Sequence, residues 1–168
     1  NEESRAKIIE WFAKWKKGTK PLLIIGPPGI GKTTIAYLLA KQFGYDMIGL
    51  NASDVRSKSR INEILTPVLG NVSVLGTPMI FVDEVDGIHG RGDYGGASAL
   101  VDILKKPNVP ILLAANYDDS DKMKSIKKAV TTISFKKIPP RLLRVYLNNI
   151  LKKENEKLSP GSLIKVID

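Results

Sequence analysis

Apolar residues in this chain gather in short unbroken runs, and between the runs they return every three or four positions. Leu22–Ile25, Met79–Val82 and Ile111–Ala115 contain no polar residue, the pattern of strands buried on both faces. Met47–Leu50 and Val130–Phe135 read as two more strands, the second because Thr131, Thr132 and Ile133 are β-branched. The intervening segments predict helices. Ile8, Ile9, Phe12 and Trp15 share one face of a helix over residues 4–16, which Gly18 ends. Trp11 and Trp15 lie four apart, and packing in the core explains that spacing better than base stacking does. Further helices are expected at Thr33–Phe43, Lys58–Leu69, Ser98–Lys106 and Lys122–Ala129. Strands alternating with helices predict an α/β fold with a parallel sheet covered on both sides. Beyond Ile138 the strands cease, and Arg141–Lys153 and Gly161–Asp168 read as helices after the Pro139-Pro140 break. A core domain over 1–137 followed by the beginning of a helical domain over 138–168 is the expected organisation.

Composition narrows the class. The 168 residues are 43% hydrophobic and 26% charged, which excludes a disordered chain and a fibrous one. No apolar run approaches the length needed to span a bilayer, and no secretory leader opens the sequence, so no membrane partner is expected. There is no cysteine and a single histidine, which removes disulfides, thiolate metal sites and, in practice, a zinc centre. A cytoplasmic location is the expectation. The start at Asn1 and the stop at Asp168 inside a helical pattern suggest a piece of a longer chain, truncated at both ends. The net charge of +9 is concentrated: residues 122–157 hold eleven Lys/Arg against two Glu, while the rest of the chain balances. Such a segment suits a polyanionic or acidic protein partner, or it is a solvated lysine-rich surface.

Three motifs carry candidate chemistry. Gly26–Thr33 reads GPPGIGKT, which fits G-x-x-x-x-G-K-[ST] and lies between a predicted strand and a predicted helix, as a phosphate-binding loop must. Gly26, Gly29 and Gly31 let backbone N–H groups close around a phosphate, and the following helix adds its positive end. The candidate nucleotide contacts are Gly26, Pro27, Pro28, Gly29, Ile30, Gly31, Lys32, Thr33 and Thr34. Lys32 would reach the β/γ-phosphates, and the Thr33 hydroxyl would ligate Mg²⁺. The second motif, MIFVDEVD at Met79–Asp86, ends an apolar strand in two acids. Asp83 would hold Mg²⁺ and Glu84 would polarise an attacking water, which favours hydrolysis over transfer. Asn116, at the tip of the strand Ile111–Ala115, is placed to sense the γ-phosphate, although alone it would be only a turn residue. His89 lies in a glycine-rich loop with no partners for a metal site or triad. Arg91 in that loop, and Arg56, Lys58 and Arg60 at the preceding helix start, are candidate DNA-phosphate contacts or simply solvated charges.

GPPGIGKTT, LNASDVRSKSRI at 50–61, IFVDEVDGIHGRGDYGG at 80–96 and LLAANY at 112–117 together resemble the AAA+ ATPase module of clamp loaders. Within that family they are most similar to the large subunit of archaeal replication factor C. The resemblance covers nearly the whole chain. It implies a P-loop AAA+ three-layer α/β/α core with a five-stranded parallel sheet in the order 5-1-4-3-2, followed by a helical lid. It also implies ATP (or ADP) and Mg²⁺ as cofactors. The implied assembly joins one large subunit with four small ones, and ATP drives the opening of a sliding clamp and its placement on primed double-stranded DNA. The helix over residues 97–106 would meet the clamp through Leu100, Ile103 and Leu104, with Ala99 standing where the family has Gln, unless that shared face packs on the sheet as core. Three departures from the pattern stand out. Lys128, Ala129 and Val130 occupy the place of the small subunits' Ser-Arg-Cys, so no arginine finger is donated. Ile164 stands where the lid carries an Arg, so that contact is missing or Lys165 serves instead, and the family's adenine-holding Lys-Tyr-Arg-Pro segment precedes Asn1. Two alternatives remain open. One is a subunit that binds nucleotide with negligible hydrolysis; the other is a hexameric AAA+ DNA remodeller or helicase, which the missing finger disfavours.

Overall fold

The computed structural model describes residues 1–51, 54, 57–70, 76–88, 95–116 and 121–167. In chain order the elements are α1 (Glu2–Ala13), β1 (Leu22–Ile25), α2 (Lys32–Gln42), β2 (Tyr45–Leu50), α3 (Lys58–Gly70), β3 (Thr77–Val82), a 3₁₀ turn (Val85–Gly87), α4 (Gly96–Lys105), β4 (Ile111–Ala115), α5 (Asp121–Ala129), β5 (Thr131–Ser134), α6 (Pro140–Lys153) and α7 (Pro160–Ile167). The five strands form one parallel sheet in the order β2-β3-β4-β1-β5, which is the order the resemblance implies.

Successive residues of a strand point to opposite faces, and here each face has its own core. Leu23, Ile25, Ile80, Val82, Ile111, Leu113 and Ala115 pack with Ile61 and Leu65 of α3, Leu100 and Leu104 of α4, and Met123 and Ile126 of α5. Leu22, Ile24, Met79, Phe81, Leu112 and Ala114 pack on the other side with Ile8 and Phe12 of α1 and with Ala36, Leu39 and Ala40 of α2. Continuous apolar runs are therefore required in β1, β3 and β4, the strands that both cores sandwich.

Two strands begin earlier than their apolar runs. β2 starts at Tyr45 and β3 at Thr77, so β3 includes Pro78 opposite Asp46. Ile80 N–H donates to Pro110 O (2.9 Å), so alternate residues place position 78 toward β4, which has not yet begun there. Pro78 therefore forfeits no ladder bond. α1 ends at Ala13, leaving Trp15 beyond the helix, while Trp11 packs against the second core.

The clamp-facing assignment needs correction. Leu100 and Leu104 are each only 1% exposed and belong to the core, so neither can meet a partner. Helical spacing put them on one face, and that face lies on the sheet. Ile103 is partly buried and packs against the same core. Ile103→Asp should consequently destabilise the fold by about 1–3 kcal/mol, because a carboxylate there loses water without gaining a partner. Thermal unfolding followed by circular dichroism checks this, and an unchanged melting temperature would return Ile103 to the surface.

The chain divides into two compact units, Asn1–Phe135 and Lys136–Asp168. In the second, Pro140 starts α6, where its fixed φ and missing N–H are harmless. Ser159 Oγ accepts the Ser162 N–H (3.1 Å) at the start of α7, and Ile164 on that helix is exposed.

Candidate functional site

Residues 26–31 carry the chain from β1 into α2. Gly26 N–H donates to Ala115 O (3.2 Å) and Phe135 N–H to Ile25 O (2.7 Å), so the loop leaves the sheet clamped between β4 and the end of β5. A Cβ at position 26 would lie 2.6 Å from Phe135 O and 2.5 Å from Ile30 Cδ1, which only glycine avoids. Gly31, the residue before α2, is left-handed at φ +89°, and this directs the first free amides of α2 into the loop.

Lys32, the first residue of α2, is 7% exposed. Its ammonium donates to Gly26 O (2.8 Å), Pro27 O (3.0 Å) and Asn116 Oδ1 (2.7 Å), which uses all three protons. Burial pushes its pKa below the usual lysine range, and the negative charges of Asp83, Asp86 and Glu84 partly restore it. Next along the helix, the Thr33 hydroxyl donates to Asp83 Oδ2 (2.7 Å). Thr33 and Thr34 are exposed at the mouth, as are Pro28 and Gly29, while Pro27 and Ile30 are half-buried.

Asp83 follows β3, with its N–H on Leu50 O (2.8 Å) and its Oδ1 accepting the Glu84 N–H (2.9 Å). Glu84 adopts φ 51°, ψ 39°, a left-handed conformation that turns β3 into the 3₁₀ turn and leaves the Glu84 residue exposed. Lys32, Thr33, Asp83, Glu84 and Asn116 thus gather at the carboxyl ends of β1, β3 and β4, where ligands of open parallel sheets bind. A hydroxyl and a carboxylate 2.7 Å apart are hard oxygen donors suited to Mg²⁺, which takes few protein ligands and completes its shell with phosphate and water. Among the described residues no group of three or more His, Asp or Glu could hold a metal ion unaided.

The structure adds one residue to which the sequence alone gives no role. Asp86 Oδ1 accepts the Asn116 backbone N–H (3.1 Å), across 30 residues of sequence. Its presence in MIFVDEVD was the one signal, but nothing local shows that the strand reverses at Glu84 and brings Asp86 back to β4.

Of the candidate DNA contacts, Lys58 and Arg60 are exposed in the first turn of α3, and Arg60 Nη1 pairs with Glu63 Oε2 (2.9 Å). Arg56 and Arg91 lie outside the described residues, as does His89. In the basic segment, Lys124 and Lys128 on α5 and Arg141 and Arg144 on α6 are exposed. No helix among the described residues is long and apolar enough to cross a membrane.

Residues 22–152 match the family described as "ATPase family associated with various cellular activities (AAA)". The chain belongs to the AAA family of ATPases. This AAA chain is also 40% identical over 173 residues to the replication factor C large subunit of Thermofilum pendens, covering all of itself and 42% of that protein. It is 35% identical to the replication factor C large subunit of Archaeoglobus fulgidus, over 96% of this chain and 36% of the relative. Replication factor C subunit 1 of Saccharomyces cerevisiae is 32% identical over 99% of this chain and 23% of that protein. The AAA chain therefore spans less than half the length of these relatives.

Proposed function

We propose that this chain is the ATP-binding and ATP-hydrolysing module of a clamp-loader large subunit, working in the cytoplasm with small subunits to open a sliding clamp and load it onto primed DNA. The observation that carries the hydrolytic part is the pair of clasps, Lys32 to Asn116 and Thr33 to Asp83, with Glu84 exposed beside them. In this reading the loop amides and Lys32 take the phosphates, while Thr33 and Asp83 hold Mg²⁺. Mg²⁺ held by Thr33 and Asp83 would supply charge neutralisation to the bound phosphates. The Lys32 ammonium would exchange the Gly26 and Pro27 carbonyls for phosphate oxygens and keep Asn116 Oδ1, whose own NH₂ would donate to the γ-phosphate. Glu84 orients water from the open side of the site. The likeness to replication factor C large subunits over the whole chain supports the clamp-loader part. The test is ATP turnover with and without small subunits, sliding clamp and primed DNA. Stimulation that requires all three is the expected result, and turnover indifferent to them would remove the clamp-loader reading. A second reading, nucleotide binding with negligible hydrolysis, is favoured by Ile164 at the lid position where the family carries Arg.

DNA, where this chain meets it, is bound at its phosphates by Arg56, Lys58, Arg60 and Arg91. Neutralising Arg56, Lys58 and Arg60 together should flatten the plot of log affinity against log salt by about 0.9 for each phosphate they neutralise. An unchanged slope would leave these residues as solvated charges, with Arg60 serving only its Glu63 pair.

A further inference from the structure

Asn116 owes its position to a bond that the sheet itself does not make. β3 and β4 pair from Ile80 opposite Ile111 to Val82 opposite Leu113, and Ile80 N–H donates to Pro110 O (2.9 Å). In a parallel ladder alternate residues bond to the same neighbour. Residues 112, 114 and 116 of the β4 segment therefore turn their N–H groups toward β3. The acceptor for residue 116 should be the carbonyl of residue 84. That carbonyl has turned away, because Glu84 is left-handed and its oxygen accepts the Gly87 N–H (2.7 Å). The half-buried Asp86 supplies Oδ1 in its place (3.1 Å). On the opposite edge Ala115 O accepts the Gly26 N–H (3.2 Å), so the backbone entering residue 116 is held from both sides. The side chain that emerges there places Oδ1 2.7 Å from Lys32 Nζ.

We propose that Asp86 is a positioning residue for ATP hydrolysis: its carboxylate stands in for the missing β3 rung and so sets where the Asn116 amide meets Lys32 and the γ-phosphate. This rests on the reading of Asn116 as a residue that acts on that phosphate. Asp86 reaches neither nucleotide nor water in this account; beyond the negative charge it lends Lys32, it acts on hydrolysis through residue 116.

The test compares Asp86→Ala, Asp86→Asn, Asn116→Ala and the double variant Asp86→Ala/Asn116→Ala in the 168-residue chain. Single-turnover hydrolysis of Mg-ATP, affinity for a fluorescent ATP analogue and amide hydrogen exchange at residue 116 are measured on each. Asp86→Ala should lower turnover about tenfold to a hundredfold, the effect of a misplacement of about 1 Å, with affinity within about threefold of the parent. Asp86→Asn keeps an oxygen acceptor and should restore turnover and slow exchange at residue 116, a rescue that loss of charge alone would not permit. The double variant should be no slower than the slower single one. Parent-rate turnover in Asp86→Ala, unchanged exchange at residue 116, or additive losses in the double variant would each overturn the inference. If Asn116→Ala alone turned over at the parent rate, the reading of Asn116 would fall. A surviving defect in Asp86→Ala would then show that Asp86 acts elsewhere. Should Asp86→Ala not fold, Asp86→Ser, whose hydroxyl falls short of residue 116, takes its place.

Discussion

Glu84→Gln should bind ATP as the parent does and lose turnover by a factor on the order of a hundred or more, the contribution of a positioned general base. In the proposed reading, binding and chemistry would use different atoms of this site. Phosphate would be held by the loop amides and by Lys32, which is anchored to Gly26, Pro27 and Asn116. Magnesium would fall to Thr33 and Asp83, which already meet through a hydrogen bond. Glu84 meets Asp83 only through its backbone N–H, and the residue is exposed. Glutamine has the same length and the same discomfort in a left-handed turn, so the fold should not distinguish the two. Turnover in the assembled complex, set beside nucleotide affinity, decides the matter. Parent-rate hydrolysis by Glu84→Gln would withdraw the catalytic assignment.

Gly26→Ala should destabilise the first unit by about 1–3 kcal/mol and weaken nucleotide binding about tenfold or more, by overpacking and by displacing the loop. The added methyl would meet Ile30 Cδ1 at 2.5 Å, which can swing aside, and Phe135 O at 2.6 Å, which cannot. Phe135 is tied to the sheet through Ile25 O at 2.7 Å, so either the loop or the end of β5 must move. Gly29→Ala provides the contrast. Its Cβ would meet nothing within 4 Å, and it should suffer only the strain of φ +75°, about 1 kcal/mol. Thermal unfolding and nucleotide titration of the pair separate close approach from backbone strain. Equal effects in both would show that the approach to Phe135 does not matter.

The parts legible in the sequence are those whose cause is local. β1, β3 and β4 are buried on both faces, so their runs are uniformly apolar and easy to see. The phosphate loop is legible because its glycines answer to backbone geometry within a single short segment. The early starts of β2 and β3 were hidden by Asp46, exposed on the edge strand, and by Pro78, whose tolerance depends on β4 not yet having begun. Leu100 and Leu104 illustrate another limit. Periodicity shows that residues share a helix face but not whether that face meets the sheet or a partner. Asp86 was invisible for a third reason, since its bond to residue 116 exists only after the chain has reversed at Glu84.

Glu84 and Asn155 are the two non-glycine residues with left-handed φ among those described, at 51° and 57°. Asparagine adopts this conformation readily, whereas for glutamate it costs about 1–2 kcal/mol. A chain selected only for heat resistance would therefore drift toward Gly or Asn at position 84, while position 155 would stay as it is. Variants recovered for survival at high temperature should cluster at residue 84 and prove inactive, and those recovered for turnover should restore Glu. Position 84 would thus act as a gauge of the selection the chain has been under: thermal endurance and chemical work pull this one backbone angle toward different side chains.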